Sequence, residues 1–270
     1  MNSKDKSNIN KYDLYQKSVQ NVKIEVEFFR KCFRMIYNKV ATSFREDFCG
    51  TGLLSCEWVK NNVMNSAVGL DIDPEALAWG IENNVNNLNS GSNRIQLINH
   101  NVLDPYNEKE KFEIICSLNY SHFLLTKRKE ILTYFNNVYK SLDSKGIFIL
   151  DFYGGSHIYE DHKYQQEKSQ HFYQFSGKQM NILNNQSKCS LNFKINKNKF
   201  TPHFTFNFRI YSILEMRDTL EEVGFKKFKL HIKEINEEDE DDYVEYEEVD
   251  IDGEYFPESS RITGYLIAYN

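Results

Sequence analysis

The residues best able to do chemistry stand in one short stretch, Asp47-Phe48-Cys49-Gly50-Thr51-Gly52, and in an acid that follows it, Asp71. Two glycines one residue apart let backbone N–H groups approach a ligand where a Cβ would collide. A helix opening at the second glycine points its N-terminus at the same place and favours a carboxylate or phosphate. Asp71 stands 19 residues after Gly52, at the end of the run AVGLD. An acid so placed accepts hydrogen bonds from both hydroxyls of a ribose, as in dinucleotide-binding folds. Loop and acid together read as a site for an adenosine-bearing cofactor. The loop continues GTGLLS, without the third glycine of the dinucleotide fingerprint, and no GKS or GKT is present, so a P-loop is excluded.

Such residues need elements to hold them. Short apolar runs at 43–48, 66–71, 94–99, 112–118 and 147–152 alternate with helical spacing at 52–60, 74–88 and 127–142. Pro74 sits near a helix start, where its missing N–H costs nothing. The alternation predicts parallel βαβ units and a doubly wound α/β fold, covered on both faces. A helix at 212–223, stopped by Gly224, and strands at 226–235 and 261–269 complete this domain.

The pattern breaks over 156–210. No convincing helix occurs there, while 171–176, 189–194 and 203–210 alternate like strands and 196–199 reads as a turn. This predicts an antiparallel β insertion, seated on the main domain as a lid. Residues 1–11 are a polar tail, and 12–37 predict one or two leading helices. The organisation is thus 1–39 as tail and helices, 40–155 as the cofactor-binding part, 156–210 as the lid, and 211–270 as the closing part. Within the last, 234–254 is almost continuously acidic and should be an exposed, mobile loop, because such a run repels itself. It lacks EF-hand spacing with its central glycine.

Composition narrows the partners. A net charge of −6 argues against a large nucleic-acid substrate, whose binding needs Lys and Arg against phosphates. Five scattered cysteines without a CxxC pair indicate neither a zinc site nor a redox dithiol, and reduced buried thiols are the expectation. With no signal-peptide pattern and no run of 18 apolar residues, a cytoplasmic setting away from membranes is expected.

The stretch FREDFCGTGLLSCEWV resembles the first motif of class I S-adenosylmethionine-dependent methyltransferases, an acid followed by G-x-G-x-G. The resemblance implies S-adenosyl-L-methionine as cofactor and S-adenosyl-L-homocysteine as product. It implies that Gly50, Thr51 and Gly52, flanked by Phe48 and Cys49, hold the methionine part, and that Asp71, with Ile72 beside it, holds the ribose. Glu46 matches the leading acid, which contacts the cofactor's amino group directly or through water, and Asp47 could share that role. Asn101 fills the adenine slot after the third strand, with its side-chain carbonyl as acceptor and the backbone of Val102 beside it. Leu118 and Asn119 lie at the end of the fourth strand, near the switch point of the sheet. Phe48 departs from the pattern: it occupies the first glycine position, where it narrows or reorients the turn.

This resemblance covers about residues 40–150 and 211–270, and implies a mostly parallel seven-stranded sheet whose last strand is antiparallel. A narrower likeness, through YDLYQKSVQ, EDFCGTGLLSCEWV, LDFYGG and FNFRIYSILEMRDTLEEVGF, is to an uncharacterised bacterial subgroup whose insertion is likewise stranded.

Methyl transfer from a sulfonium is an in-line displacement, so positioning supplies much of the rate. A general base is needed only where the acceptor loses a proton. Tyr120 and His122, after the fourth strand, are the catalytic candidates. Tyr153 after the fifth, Tyr173, Arg209 and Tyr211 on or beside the insertion, and Tyr12 and Tyr15 in the leading helix are the substrate-binding candidates. Gln20, with Tyr12 and Tyr15, could fold over the cofactor, and His171 on the inserted strands is a further base candidate facing the site. Each has a plainer reading: packing for the tyrosines, a surface or capping role for His122, a salt bridge for Arg209. No His/Asp cluster suggests a metal.

The sequence LNYS after strand four is not the Asp/Asn-Pro-Pro-Tyr/Phe of amino-methylating nucleic-acid enzymes, and a small-molecule acceptor, N- or O-methylated, is expected. A Rossmann-type oxidoreductase and a non-catalytic cofactor-binding protein remain the alternatives. The oligomeric state is not legible.

Overall fold

A computed structural model describes residues 10–168, 171–195, 201–235 and 246–270. The chain opens with helices α1 (Lys11–Val19) and α2 (Val22–Tyr37), then alternates β1 (Ser43–Asp47), α3 (Leu53–Asn61), β2 (Ser66–Asp71), α4 (Pro74–Asn83) and β3 (Ile95–Asn99). There follow β4 (Phe112–Ser117), α5 (Arg128–Ser141) and β5 (Leu142–Gly154). Four strands form the insertion: β6 (His162–Lys168), β7 (His171–Gly177), β8 (Gln186–Ile195) and β9 (Thr201–Arg209). The chain ends with α6 (Ile213–Val223), β10 (Lys227–Glu234), β11 (Glu247–Val249) and β12 (Ile262–Tyr269).

The main sheet runs β11-β10-β12-β5-β4-β1-β2-β3. Strands β1 to β5 pair in parallel, whereas β12 joins β5 antiparallel, and β10 and β11 continue antiparallel to the edge. The sequence builds outward from β1 to β3 and then restarts at β4 on the other side of β1. The switch point therefore lies between the carboxyl ends of β1 and β4, where open α/β sheets bind ligands. Neighbouring residues of each strand serve opposite faces. Phe44, Cys116, Ile149 and Ile267 pack under α2 and α3; Ile115, Phe148, Leu150 and Leu266 pack under α5 and α6.

Local chemistry sets the helix ends. Asp73 caps α4 by accepting from Glu75 N and Ala76 N, with Pro74 in the first turn. Ser212 and Glu215 form a reciprocal capping box on α6, which Gly224 ends at φ 128°.

Several expectations are corrected. The sheet has eight strands rather than seven, because Glu247–Val249, inside the stretch read as an acidic loop, pairs with Leu230–Ile232 of β10. The rest of that loop, 236–245, lies outside the described residues, as does the turn read at 196–199. The helix expected over 74–88 ends at Asn83 and gives way to a 3-10 stretch, Val85–Arg94. That segment is rich in Asn, which competes with its own backbone in helices, and Asn89 turns to φ 50°. Strand β6 went unread because its burial alternates among polar residues (HKYQQEK), leaving no apolar period to see. Among the described residues no helix is long and apolar enough to cross a membrane.

Candidate active site

The site begins where β1 turns into α3. Phe48, Gly50 and Gly52 all have positive φ, at 57°, 53° and 64°. At Gly52 a Cβ would fall 2.5 Å from Leu97 Cδ2, so that side chain would have to shift, and the positive φ strains any substitution besides. At Gly50 a Cβ would meet nothing within 4 Å, so its open side faces the crevice. Phe48 thus adopts the left-handed backbone that its position requires of a glycine, at a cost of about 1–2 kcal/mol. Its ring leaves the crevice and packs edge-on against Tyr134 of α5, centroids 5.5 Å apart. The loop keeps a glycine-like path, and the turn is not narrowed by the ring.

Strand alternation then separates the two acids at the end of β1. Glu46 faces α3, where its Oε2 accepts from Ser55 N at 3.0 Å and Ser55 Oγ at 2.6 Å. Burial pushes its carboxyl up to about 8 against those bonds. Asp47 faces α5 instead. Arg45 Nε lies 2.9 Å from its Oδ1, and Tyr134 donates to its Oδ2 at 3.0 Å. This buried network occupies Asp47 on the far side of the sheet, so it cannot share the role read for Glu46.

Asp71 closes β2 and reaches back to the loop. Its Oδ2 accepts from Gly50 N at 2.6 Å and its Oδ1 from Asp73 N at 2.8 Å. Each oxygen keeps a further lone pair for a ligand hydroxyl, and burial raises the carboxyl above its ordinary value. Ile72, beside it, is 68% exposed, an apolar side chain with nothing of its own chain on its outer face. Asn101 makes an Asx turn, its Oδ1 accepting from Leu103 N at 3.0 Å, and Val102 is buried with its carbonyl held by Asn137. Cys49 is buried with its thiol raised well above its ordinary value by burial, and all five cysteines are free and buried.

Helix α1 latches onto the loop. Gln16 Nε2 donates to Thr51 Oγ1, Tyr12 OH donates to Asp73 Oδ2 at 3.2 Å, and Ser18 Oγ meets His171 Nε2 at 2.6 Å. One helix thereby touches the cofactor loop, the start of α4 and the β insertion at once. Leu14 completes the contact by packing against Leu191 and Phe193 of the inserted sheet.

Beside the switch point opens a cleft of about 870 Å³, between α2, the inserted sheet and the β5–β12 ends. Tyr15, Tyr120, Tyr153, Tyr173 and Gln20 line it, as does Asn119. Asn119 and Tyr120 both have positive φ, and Tyr120 N donates to Asp151 Oδ1 at 2.9 Å, which fixes the turn after β4. Leu118 is buried just before it. Tyr120 OH meets Thr263 Oγ1 at 3.3 Å, and Tyr153 OH lies 3.6 Å from Cys189 Sγ.

Five candidates lie outside this lining: Tyr12 and His171, which belong to the α1 contacts, and His122, Arg209 and Tyr211. His122 is 0% exposed, neither ring nitrogen has a hydrogen bond, and burial alone pushes its pKa down to about 3. It is a neutral core side chain against Phe123, outside the cleft lining. Arg209 binds Glu215 at 3.2 Å and stacks over Tyr211, while Tyr211 OH donates to the Leu125 carbonyl. Both tie the insertion to α6 and to the turn before α5, and neither lines the cleft. Among the described residues no three His, Cys, Asp or Glu side chains are grouped to hold a metal ion.

The sequence reading missed two lining acids. Asp151 interrupts the apolar strand IFILDF, and Glu25 stands on the apolar stripe of α2 with Phe28, Phe29 and Cys32. An acid on a buried stripe or strand was the available signal. Burial pushes both carboxyls up to about 8, and Asp151 adds to the shift of Glu25.

The chain matches no protein-family model and no curated protein. In fold it is similar to a S-adenosylmethionine-dependent methyltransferase from Clostridium acetobutylicum, at 17% identity and TM-score 0.68 over 95% of this chain and 96% of that one. The sugar N-methyltransferase KedS8 from Streptoalloteichus is 14% identical, with TM-score 0.61 over 94% and 92%. CalS10, an amino pentose methyltransferase from Micromonospora echinaspora, is 9% identical, with TM-score 0.64 over 95% of each chain. The match runs through the insertion as well as the sheet, because nearly the whole length of each chain is covered. Sheet order, switch-point loop and stranded insertion give this chain the fold of the class I S-adenosylmethionine-dependent methyltransferases.

Proposed function

We propose that the protein is a methyltransferase that uses S-adenosyl-L-methionine on a small-molecule acceptor bound beneath the four-stranded sheet, by N- or O-methylation. The hydrogen bond from Gly50 N to Asp71 Oδ2 carries this reading, because it brings loop and ribose acid together at the switch point. The residues fit the cofactor: Gly50 leaves backbone open to its methionine part, Asp71 retains acceptors for ribose hydroxyls, and exposed Ile72 offers an apolar face beside them. Glu46, deep behind the loop, supplies an anion toward the ammonium end. When bound, the cofactor supplies a methyl group on sulfonium sulfur, which keeps the bonding electron pair as the methyl leaves. Tyr120 and Asn119, held by Asp151 at the junction of loop and cleft, orient the acceptor and keep water from the reacting atoms.

The structural neighbours whose names specify a sugar or amino pentose support a small acceptor, and the cleft, walled by the inserted sheet, is of matching size. Five free thiols suit a reducing cytoplasm. Incubation with methyl-labelled cofactor and a bacterial metabolite extract tests the reading. Label should enter a species that passes a low-molecular-weight filter. Label retained only on macromolecules, or none transferred, contradicts it.

A further inference from the structure

The cleft lining includes polar side-chain atoms that have no hydrogen-bond partner. Among the described residues no cation and no hydrogen-bond donor reaches the carboxylate of Glu25, although it is half-buried and lines the cleft. Gln20 Oε1, on the same wall, is buried without a partner. His231, on β10, is 7% exposed, and its Nε2 also lacks one. Asp151 lies opposite on β5, one strand face with Tyr265, and is held only by backbone N–H groups after β4.

Charge is distributed unevenly over this lining. Six cations line the cleft, Lys17, Lys31, Lys163, Lys168, Lys233 and Arg261, and none is among the charges that act on Glu25 or Asp151; Lys17 binds Asp13 at 2.7 Å and Arg261 covers the Tyr164 ring. Beyond burial, Asp151 raises all three of Tyr15, Tyr120 and Tyr265, and Glu25 raises Tyr15 and Tyr265. Only burial and Asp151 act on Glu25 itself. Two carboxylates, ringed by aromatic faces and unmatched by cations, are complementary to a cation that brings its own N–H donors.

Resting on the methyltransferase reading, we infer that the acceptor is an amine bound as an ammonium between Glu25 and Asp151, and that Glu25 removes the proton. An alkyl ammonium has no lone pair for attack. One N–H bond breaks as an O–H bond forms on the Glu25 carboxylate, and the electron pair stays on nitrogen as the nucleophile. The proton then leaves Glu25 to water through the open side of the cleft. A carboxyl raised toward neutrality is a stronger base than an exposed one, which suits this transfer. A hydroxyl acceptor would use neither the unpaired charge nor the second carboxylate.

Benzylammonium and benzyl alcohol, matched in shape and differing in charge, are the probes, titrated by calorimetry into wild type and Glu25→Gln. Wild type should bind benzylammonium roughly tenfold or more tighter than the alcohol, in line with hydrogen bonds to a charged group. Glu25→Gln should weaken benzylammonium binding and so reduce that preference, Asp151 remaining, and leave the weak alcohol binding unchanged. Equal binding of the two probes by wild type, or undiminished benzylammonium binding by the variant, overturns the inference. The wild-type comparison stands even where the variant does not fold. S-adenosylhomocysteine is titrated alongside. If it binds while ammonium is not preferred, the amine inference alone fails. If it does not bind while ammonium is preferred, the cofactor reading fails and the cation site stands.

Discussion

The backbone N–H of Gly50 donates to Asp71 Oδ2 across 2.6 Å, so the acid at the end of β2 holds the loop at the end of β1. The carboxylate shapes the turn, and in the proposed function its remaining lone pairs accept from the ribose. Asp71→Ala removes both functions. Affinity for S-adenosylhomocysteine should fall by roughly 10- to 100-fold, the range of one charged hydrogen bond, about 1.5–3 kcal/mol. Calorimetry on the two proteins decides it, and unchanged affinity removes Asp71 from the ribose.

Phe48 yields a prediction whose sign depends on its backbone. At ordinary φ, replacing a residue by Gly costs more than replacing it by Ala. At φ 57° the order inverts, because Ala keeps the left-handed strain and Gly does not. Both variants lose the contact with Tyr134, so their difference isolates the backbone. Chemical unfolding should find Phe48→Gly more stable than Phe48→Ala by about 1 kcal/mol. The reverse order contradicts the loop geometry.

How far the sequence announced this site can be read from the same residues. The loop, Asp71 and the βα alternation were visible because each depends on local rules: glycine at positive φ, periodic burial, strand-to-strand spacing. Phe48 was visible as an exception, but not its solution, which needs Tyr134 from a helix 86 residues further along. Glu46 and Asp47, as neighbours on a strand, must serve opposite faces, but only the structure shows which acid meets Ser55 and which meets Arg45 and Tyr134. Glu25 and Asp151 come together by tertiary packing of α2 over β5, for which no sequence spacing exists. His122 misled for the converse reason: a histidine beside a predicted site attracts a chemical role, and here the core enclosed it.

That enclosure is testable. An imidazole buried without partners gives nothing back for its desolvation, and an apolar side chain of similar volume removes the penalty. His122→Leu should be within about 1 kcal/mol of wild type or more stable, with cofactor affinity unchanged. A loss above about 2 kcal/mol, or lost methyl transfer in a folded protein, restores a working role to His122.

The raised carboxyls make stability depend on pH in a definite direction. Glu25 titrates near its ordinary 4.5 when unfolded and at about 8 when folded, so between those values the folded state holds more protons. Its contribution is complete below about pH 4.5 and is lost as pH rises toward 8, at no more than about 1.4 kcal/mol per pH unit. Asp151 behaves in the same sense. Thermal unfolding from pH 5 to 8 should show wild type declining and Glu25→Gln declining less steeply. Parallel profiles would falsify the buried, uncompensated state of Glu25.

The loop, Asp71 and the switch point are together proposed as the site for a methyl donor. The most direct test is one calorimetric comparison of S-adenosylhomocysteine with NAD on the wild-type chain. The geometry predicts saturable one-to-one binding of S-adenosylhomocysteine and no heat from NAD, because the loop lacks the third glycine of the dinucleotide fingerprint, which lets helix and strand pack closely. Binding of NAD without S-adenosylhomocysteine would contradict the assignment and return the fold to nucleotide-dependent redox chemistry.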